Sequence, residues 1–254
     1  MESFINLNIN TKNKYKILIK NSKMNNNESD EDSEDDSINS KVIFVGDLAT
    51  GKTEIILRIL GNPFEENLDT TMGVDFMIKY IKFKGQNINI QLWDTNGSER
   101  MKRLIASYIK NSSIVFVVYA VSYRETFDNV PKWISFLKSI GNKVIVLCGN
   151  KIDLKREVET NEGEQLAKNE GILFFECSAK TNENIKNMFF YSIGFLPIFG
   201  IDNNPNVIEE LMEENDFGDF DFQKEKENHY LVLLHKGNNS ENKKISKKRK
   251  RKCA

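Results

Sequence analysis

Gly46-Asp47-Leu48-Ala49-Thr50-Gly51-Lys52-Thr53 fits the pattern G-x-x-x-x-G-K-[ST], a loop built to wrap a polyphosphate. Its flanks fit as well. Val42-Ile43-Phe44-Val45 ahead of it is apolar and β-branched, as a buried strand should be. Glu54-Ile55-Ile56-Leu57-Arg58-Ile59-Leu60 behind it reads as a helix. In that strand–loop–helix setting, Gly46 and Gly51 let the backbone close around a pyrophosphate. The N–H groups that open the helix point at the anion, and the helix dipole favours negative charge there. Lys52 can reach the outer phosphates, and Thr53 offers a hydroxyl to Mg²⁺.

Working outward, the charge of the 254-residue chain is nearly balanced at −1, but it is unevenly spread. Glu28 to Asp36 is almost wholly acid and serine, and Lys243 to Lys252 is almost wholly basic. Apolar residues concentrate between Val42 and Phe199, about 160 residues, enough for one well-buried α/β domain. The expected organisation is therefore a disordered acidic extension over residues 1–40, a nucleotide-binding domain over 41–199, and a variable tail over 200–254. The first stretch is too rich in Asn, Lys, Ser and acids to offset the entropy of ordering. It holds no apolar run of secretory length, and Glu2 after Met1 excludes N-myristoylation at a glycine. In the tail, Tyr230-Leu231-Val232-Leu233-Leu234 is far too short to span a bilayer. Asp216-Phe217-Gly218 spells a kinase motif, but no H-R-D loop precedes it.

Between the two ends, strands and helices alternate. Gly73–Phe83 and Ile88–Trp93 pair as a hairpin across Lys84-Gly85-Gln86-Asn87. Helix Glu99–Lys110, strand Ile114–Ala120, helix Tyr123–Ile140 and strand Val144–Cys148 follow. Helix Asn161–Asn169, strand Ile172–Phe175 and helix Asn182–Phe195 complete the order. Such alternation predicts an α/β fold: a six-stranded, mostly parallel sheet with helices on both faces. Ligands of such sheets sit beyond the carboxyl ends of the strands, where the Gly46–Thr53 loop lies.

Three further segments choose between ATP and GTP. Trp93-Asp94-Thr95-Asn96-Gly97 ends a strand beside the loop; Asp94 can hold Mg²⁺, and the Gly97 N–H can meet the γ-phosphate. Asn150-Lys151-Ile152-Asp153 fits the guanine-recognition pattern Asn-Lys-x-Asp. A carboxylate at Asp153 accepts two hydrogen bonds from the N1–H and exocyclic amine of guanine, a donor pair that adenine lacks. In Glu176-Cys177-Ser178-Ala179-Lys180, the Ala179 N–H can meet the guanine O6.

With five motifs in this order, the region from about Lys41 to Pro197 resembles the Ras-like small GTPases with their P-loop G domain, and the Rab family in particular. Thr71-Met72-Gly73-Val74-Asp75-Phe76 is similar to the Rab T-I-G-[VI]-[DE]-F. Trp93-Asp94-Thr95, Glu99-Arg100 and Ser107-Tyr108 carry the same flavour. The wording near Phe64, Tyr108-Ile109 and Lys132-Trp133-Ile134 is most similar to Golgi-associated Rabs. The resemblance implies a monomeric switch that binds GTP or GDP with Mg²⁺ and hydrolyses GTP in vesicle-mediated trafficking. It implies an exchange factor, a GTPase-activating protein and effectors as partners at the switches, and no nucleic acid. Its setting would be the cytoplasmic face of a Golgi or endosomal membrane. By the same resemblance Thr71 would place its hydroxyl on Mg²⁺ and its N–H on the γ-phosphate. Phe64 would pack against guanine, Ser178 and Lys180 would belong to the base site, and Gly97 would be the pivot of the second switch.

Departures from the family pattern bear on turnover. Ser98 stands where the family has the Gln that orients the attacking water. Asn96 replaces an Ala, Met101 an aromatic, and Leu68 the Tyr that often covers the nucleotide. Leu48 is bulkier than the usual Gly or Ser. Slow intrinsic hydrolysis is the expectation, with a GTP-binding scaffold as the alternative. Cys253 follows six consecutive basic residues, Lys247 to Lys252, but only Ala254 comes after it, so C-a-a-X is not met. Prenylated, it would join the basic run as a second membrane signal. The same run also reads as a nuclear address. Cys148 and Cys177 lack metal-ligand spacing, and no disulfide is expected of them.

Overall fold

The structure, a computed structural model, describes residues 38–98, 102–141, 143–199, 210–211 and 214–215. Strands are β1 Ile38–Val45, β2 Val74–Phe83, β3 Gln86–Thr95, β4 Ile114–Ala120, β5 Val144–Asn150 and β6 Leu173–Glu176. Helices are α1 Lys52–Leu60, α2 Lys102–Ile109, α3 Arg124–Asp128, α4 Val130–Ile140, α5 Thr160–Glu170 and α6 Ile185–Ile193. The sheet order is β2-β3-β1-β4-β5-β6. Only β2 is antiparallel; it pairs with β3 from Val74 opposite Thr95 to Phe83 opposite Gln86. The hairpin closes through Lys84 and Gly85, both at positive φ (51° and 73°), the two-residue geometry that matches strand twist.

The side chains of β1 show why the sheet needs two covers. Val42 and Phe44 face one core with Ile55, Ile56 and Ile59 of α1 and Met188 and Phe189 of α6. Ile43 and Val45 face the other with Ile105 of α2, Trp133, Ile134 and Leu137 of α4, and Ala167 of α5. A strand buried on both faces loses its polar alternation, which is why it reads as a continuous apolar run.

Several boundaries differ from the sequence reading. Strand β1 starts at Ile38, inside the expected disordered extension. Its polar start pairs with Ile88–Ile90 of β3, and the Asn89 amide donates to Asn39 Oδ1 at 3.3 Å. The expected helix Tyr123–Ile140 is two helices, broken at Asn129. Pro131, near the start of α4, has no N–H to donate back into α3. Residues beyond the expected domain end at 199 also contact the domain. Leu211 is fully buried in the α1/α6 core. Asn215 grips the backbone of Lys82, accepting from its N–H at 3.1 Å and donating to its carbonyl at 2.8 Å. Glu214 accepts from the Lys84 N–H at 2.8 Å, and Glu210 pairs with the Lys84 ammonium at 3.1 Å. The acidic extension to residue 37, Glu99–Met101, and the tail from 216 to Cys253 lie outside the described residues.

Candidate nucleotide-binding site

Beyond the carboxyl ends of β1, β3, β5 and β6 lies a cleft of about 660 Å³. The size suits a nucleotide. Its walls include Leu48, Ala49, Gly51, Lys52 and Thr53 of the phosphate loop, Phe64 and Thr71, Asn96 and Gly97, and Asn150, Lys151, Asp153, Ala179 and Lys180. Segments more than a hundred residues apart in sequence thus meet around one space. Gly46, Asp47, Thr50, Asp94 and Ser178 support the walls from behind, and Ser98 is not on the wall.

The loop is tightly built. Gly51 has φ +88°, and a Cβ there would sit 2.3 Å from the Asn150 amide nitrogen. A Cβ on Gly97 would stand 2.5 Å from the Asp47 carbonyl oxygen, so only glycine lets the second switch approach the loop this closely. Ala49 and Lys151 adopt left-handed backbone at φ 58° and 69°, strain of the kind that clusters at functional sites. Lys52 folds over its own loop, donating to the carbonyls of Asp47 at 2.7 Å and Gly46 at 3.1 Å. Thr50 is buried and donates to the same Asp47 carbonyl at 3.0 Å. Burial holds the Lys52 ammonium down to about 8, against the pull of Asp94 and Asp47.

The hydroxyls of Thr53 and Thr71 both donate to Asp94 Oδ2, at 2.6 and 2.9 Å, and lie 2.9 Å from each other. Asp94 is fully buried, and burial pushes its carboxyl up despite these bonds. Its Oδ1 is buried with no hydrogen-bond partner among the described residues. Two hydroxyls and an orphaned carboxylate oxygen are the all-oxygen donor set that suits Mg²⁺, so the residues fit that ion.

At the far end of the cleft, Asp153 is exposed on the wall, and Ser178 donates to its Oδ1 at 2.6 Å. Lys180 lies 6.0 Å from the Phe64 ring centre and pairs with Glu66 at 3.2 Å. Asn150 is a cross-brace: its amide donates to the Thr50 carbonyl at 2.9 Å, and its Oδ1 accepts the Ala179 N–H at 3.1 Å. The N–H expected to meet the guanine O6 is therefore already engaged by Asn150.

Sequence reasoning missed three kinds of support. Asp47 turns away from the cleft; its carboxylate accepts from Trp133 Nε1 at 2.8 Å and from the Asn129 amide at 2.7 Å. The helix break at Asn129 is what aims that amide. Arg156 makes a two-pronged pair with Glu176 at 2.8 and 2.7 Å, which steadies the end of β6. Glu54 lines the cleft with its carboxylate buried near the Glu65 backbone, and burial pushes its carboxyl up despite that neighbour. Cys148 and Cys177 are free buried thiols with their sulfurs 3.4 Å apart.

A doubly covered, mostly parallel sheet with a phosphate loop after its central strand, facing an Asn-Lys-x-Asp segment, defines a P-loop G domain. The Ras family model matches residues 41–194, well over half of the chain, and the protein belongs to the Ras family. Ras-family GTPases bind GTP or GDP with Mg²⁺ and hydrolyse GTP, and the donor set at Asp94 suits that ion.

Proposed function

We propose that this chain is a Rab-type switch in vesicle-mediated membrane trafficking, one that hydrolyses GTP slowly on its own. The observation that carries the switch is the convergence of Thr71 with Thr53 on Asp94, because it draws a long loop onto the phosphate-loop side of the cleft. Thr53, Thr71 and Asp94 would hold Mg²⁺, which neutralises phosphate charge when bound. Lys52 would place its ammonium against the outer phosphates, and the Gly97 N–H would meet the γ-phosphate. Phe64, Asp153, Ser178, Ala179 and Lys180 would frame the base. Loss of the γ-phosphate removes a partner from both Thr71 and Gly97, and exchange factors, GTPase-activating proteins and effectors would read the result.

Support for the Rab reading comes from a run of aromatics on the sheet face. Phe76 and Trp93 have ring centres 5.0 Å apart, and Trp93 and Tyr108 are 5.1 Å apart. The Lys41 ammonium lies 3.7 Å over the Trp93 ring. Phe76 is half exposed, and Tyr80 on the same strand and Met72 just before it are exposed too, apolar surface of the kind that marks a protein partner. The polybasic run and Cys253 would supply membrane attachment; the nuclear reading of the same run remains the competing address.

Slow hydrolysis follows from position 98. Ser98 has no amide to orient water, and its side chain does not reach the cleft wall. Leu48, half exposed on that wall, crowds the space a partner's arginine would enter. These two residues also favour a second reading, a GTP-binding scaffold that hardly turns over. Single-turnover hydrolysis of preloaded GTP separates the two. A Ser98→Gln variant should speed it at least about tenfold. An unchanged rate in that variant would show that position 98 does not limit turnover.

A further inference from the structure

We infer that Asn96 is a built-in bridge that makes the two switch segments of this chain move as one unit; the inference rests on the switch reading above and deepens it. Position 96 is where the family pattern carries Ala, whose side chain has nothing to donate or accept. Here the Asn96 amide donates to the Thr71 carbonyl at 2.6 Å. Its Oδ1 accepts the Ser98 N–H at 2.8 Å. Its own backbone N–H donates to the Gly73 carbonyl at 2.8 Å.

The direction of the side-chain amide is forced by chemistry. A carbonyl can only accept and an N–H can only donate, so the nitrogen must face Thr71 and the oxygen must face Ser98. A side chain that carries donor and acceptor on one short, rigid group is required. Ala makes neither bond, Asp makes only the second, and Ser is too short to span both.

In a switch whose segments each depend on the γ-phosphate alone, losing it frees each separately. With Asn96 in place, the two segments hold opposite ends of one side-chain amide. Departure of Thr71 removes one of the two bonds that fix that amide and weakens its hold on Ser98, and departure of Ser98 weakens its hold on Thr71. The two hydrogen bonds bias the joint closed arrangement on the order of tenfold. The GDP-bound protein therefore populates the closed arrangement more than a chain without the bridge would. Asn96 is a positioning residue: it acts through Thr71 and the segment around Gly97.

Amide hydrogen exchange on the full chain tests this, with the wild type, Asn96→Ala and Asn96→Asp each loaded with Mg²⁺·GDP or with Mg²⁺ and a non-hydrolysable GTP analogue. In Asn96→Ala, exchange around Thr71–Gly73 and at Ser98 should quicken on the order of tenfold in the GDP form and little in the analogue form. In Asn96→Asp, the acceptor for Ser98 survives while the carboxylate repels the Thr71 carbonyl. Only the first segment should then quicken, a split that general destabilisation would not produce. Exchange in β4 and β5 reports intact folding in each sample. GDP-form rates in Asn96→Ala within twofold of wild type at both segments would overturn the bridge while leaving the switch reading standing. A wild-type chain that loads no guanine nucleotide would instead overturn that reading, and the bridge with it.

Discussion

Lys52 carries the largest electrostatic cost in the cleft. Its pKa is held to about 8 in the folded protein against 10.5 for the free side chain, so between those values the unfolded chain binds more protons. Stability should therefore rise with pH across that window and be flat in this respect below it. Urea unfolding from pH 7 to 10 should show a gain on the order of 3 kcal/mol that Lys52→Met abolishes. A phosphate set against Lys52 would restore its full charge, so GDP binding at pH 8, where the free site is about half protonated, should take up about half a proton. Calorimetry in two buffers of different ionisation enthalpy reads that uptake. Asp153 should decide the base: Asp153→Ala should weaken GDP by at least about 100-fold while leaving a bare triphosphate unaffected, because two charge-assisted hydrogen bonds are lost. Glu54 adds a carboxyl to the wall of the cleft an anion would enter, so Glu54→Gln should slow GDP release in a fluorescent-nucleotide chase. At this scale the sequence was most legible where chemistry follows a local spacing, as in Gly46–Thr53 and Asn150–Asp153. It was silent where a residue works across the fold. Nothing near Asp47 in the chain announces Trp133, and nothing near Asn150 announces the Thr50 carbonyl.

Helix α4 connects the core to the phosphate loop through Trp133, which is almost wholly buried yet presents its indole N–H to Asp47. Trp133→Phe keeps most of the ring and removes that donor. It should cost about 2 kcal/mol in urea unfolding, the value of a charge-assisted bond, and should quicken nucleotide release. A loss under 0.5 kcal/mol would mean that Asn129 alone holds the loop. The break that aims Asn129 was hard to see because an apolar pattern runs through Tyr123–Ile140 without interruption; Pro131 was its only sign. Edge strand β2 is held in another unannounced way. Asn215 fills a backbone donor and acceptor of Lys82 that no neighbouring strand covers, and Leu211 anchors the connection in the core. Leu211→Ala should lower stability by about 2 kcal/mol, or roughly 6 °C in Tm for a domain of this size. Polar composition hid this segment, since a single Leu among acids carries no periodic signal. The polar start of β1 was hidden in the same way.

For the whole molecule, the alternation of apolar runs and amphipathic stretches was enough to place six strands and their two helical covers, because each buried strand had to find a layer on either side. The order of the strands was not legible beyond the hairpin of β2 with β3, because which parallel strands become neighbours is set by crossovers that leave no local signal. The family pattern set the expectation that Thr71, Asp94 and the guanine segment would converge, and they line or back one cleft. Hydrolysis links the residue, the element and the switch. The decisive measurement is a single-turnover assay on the purified full chain, preloaded with GTP and followed with and without Mg²⁺, beside a parallel loading with ATP. Tight retention of GTP, no retention of ATP, and slow, Mg²⁺-dependent conversion of the bound GTP to GDP are expected. Failure to retain guanine nucleotide, or equal retention of ATP, would contradict the assignment as a GTP-binding switch.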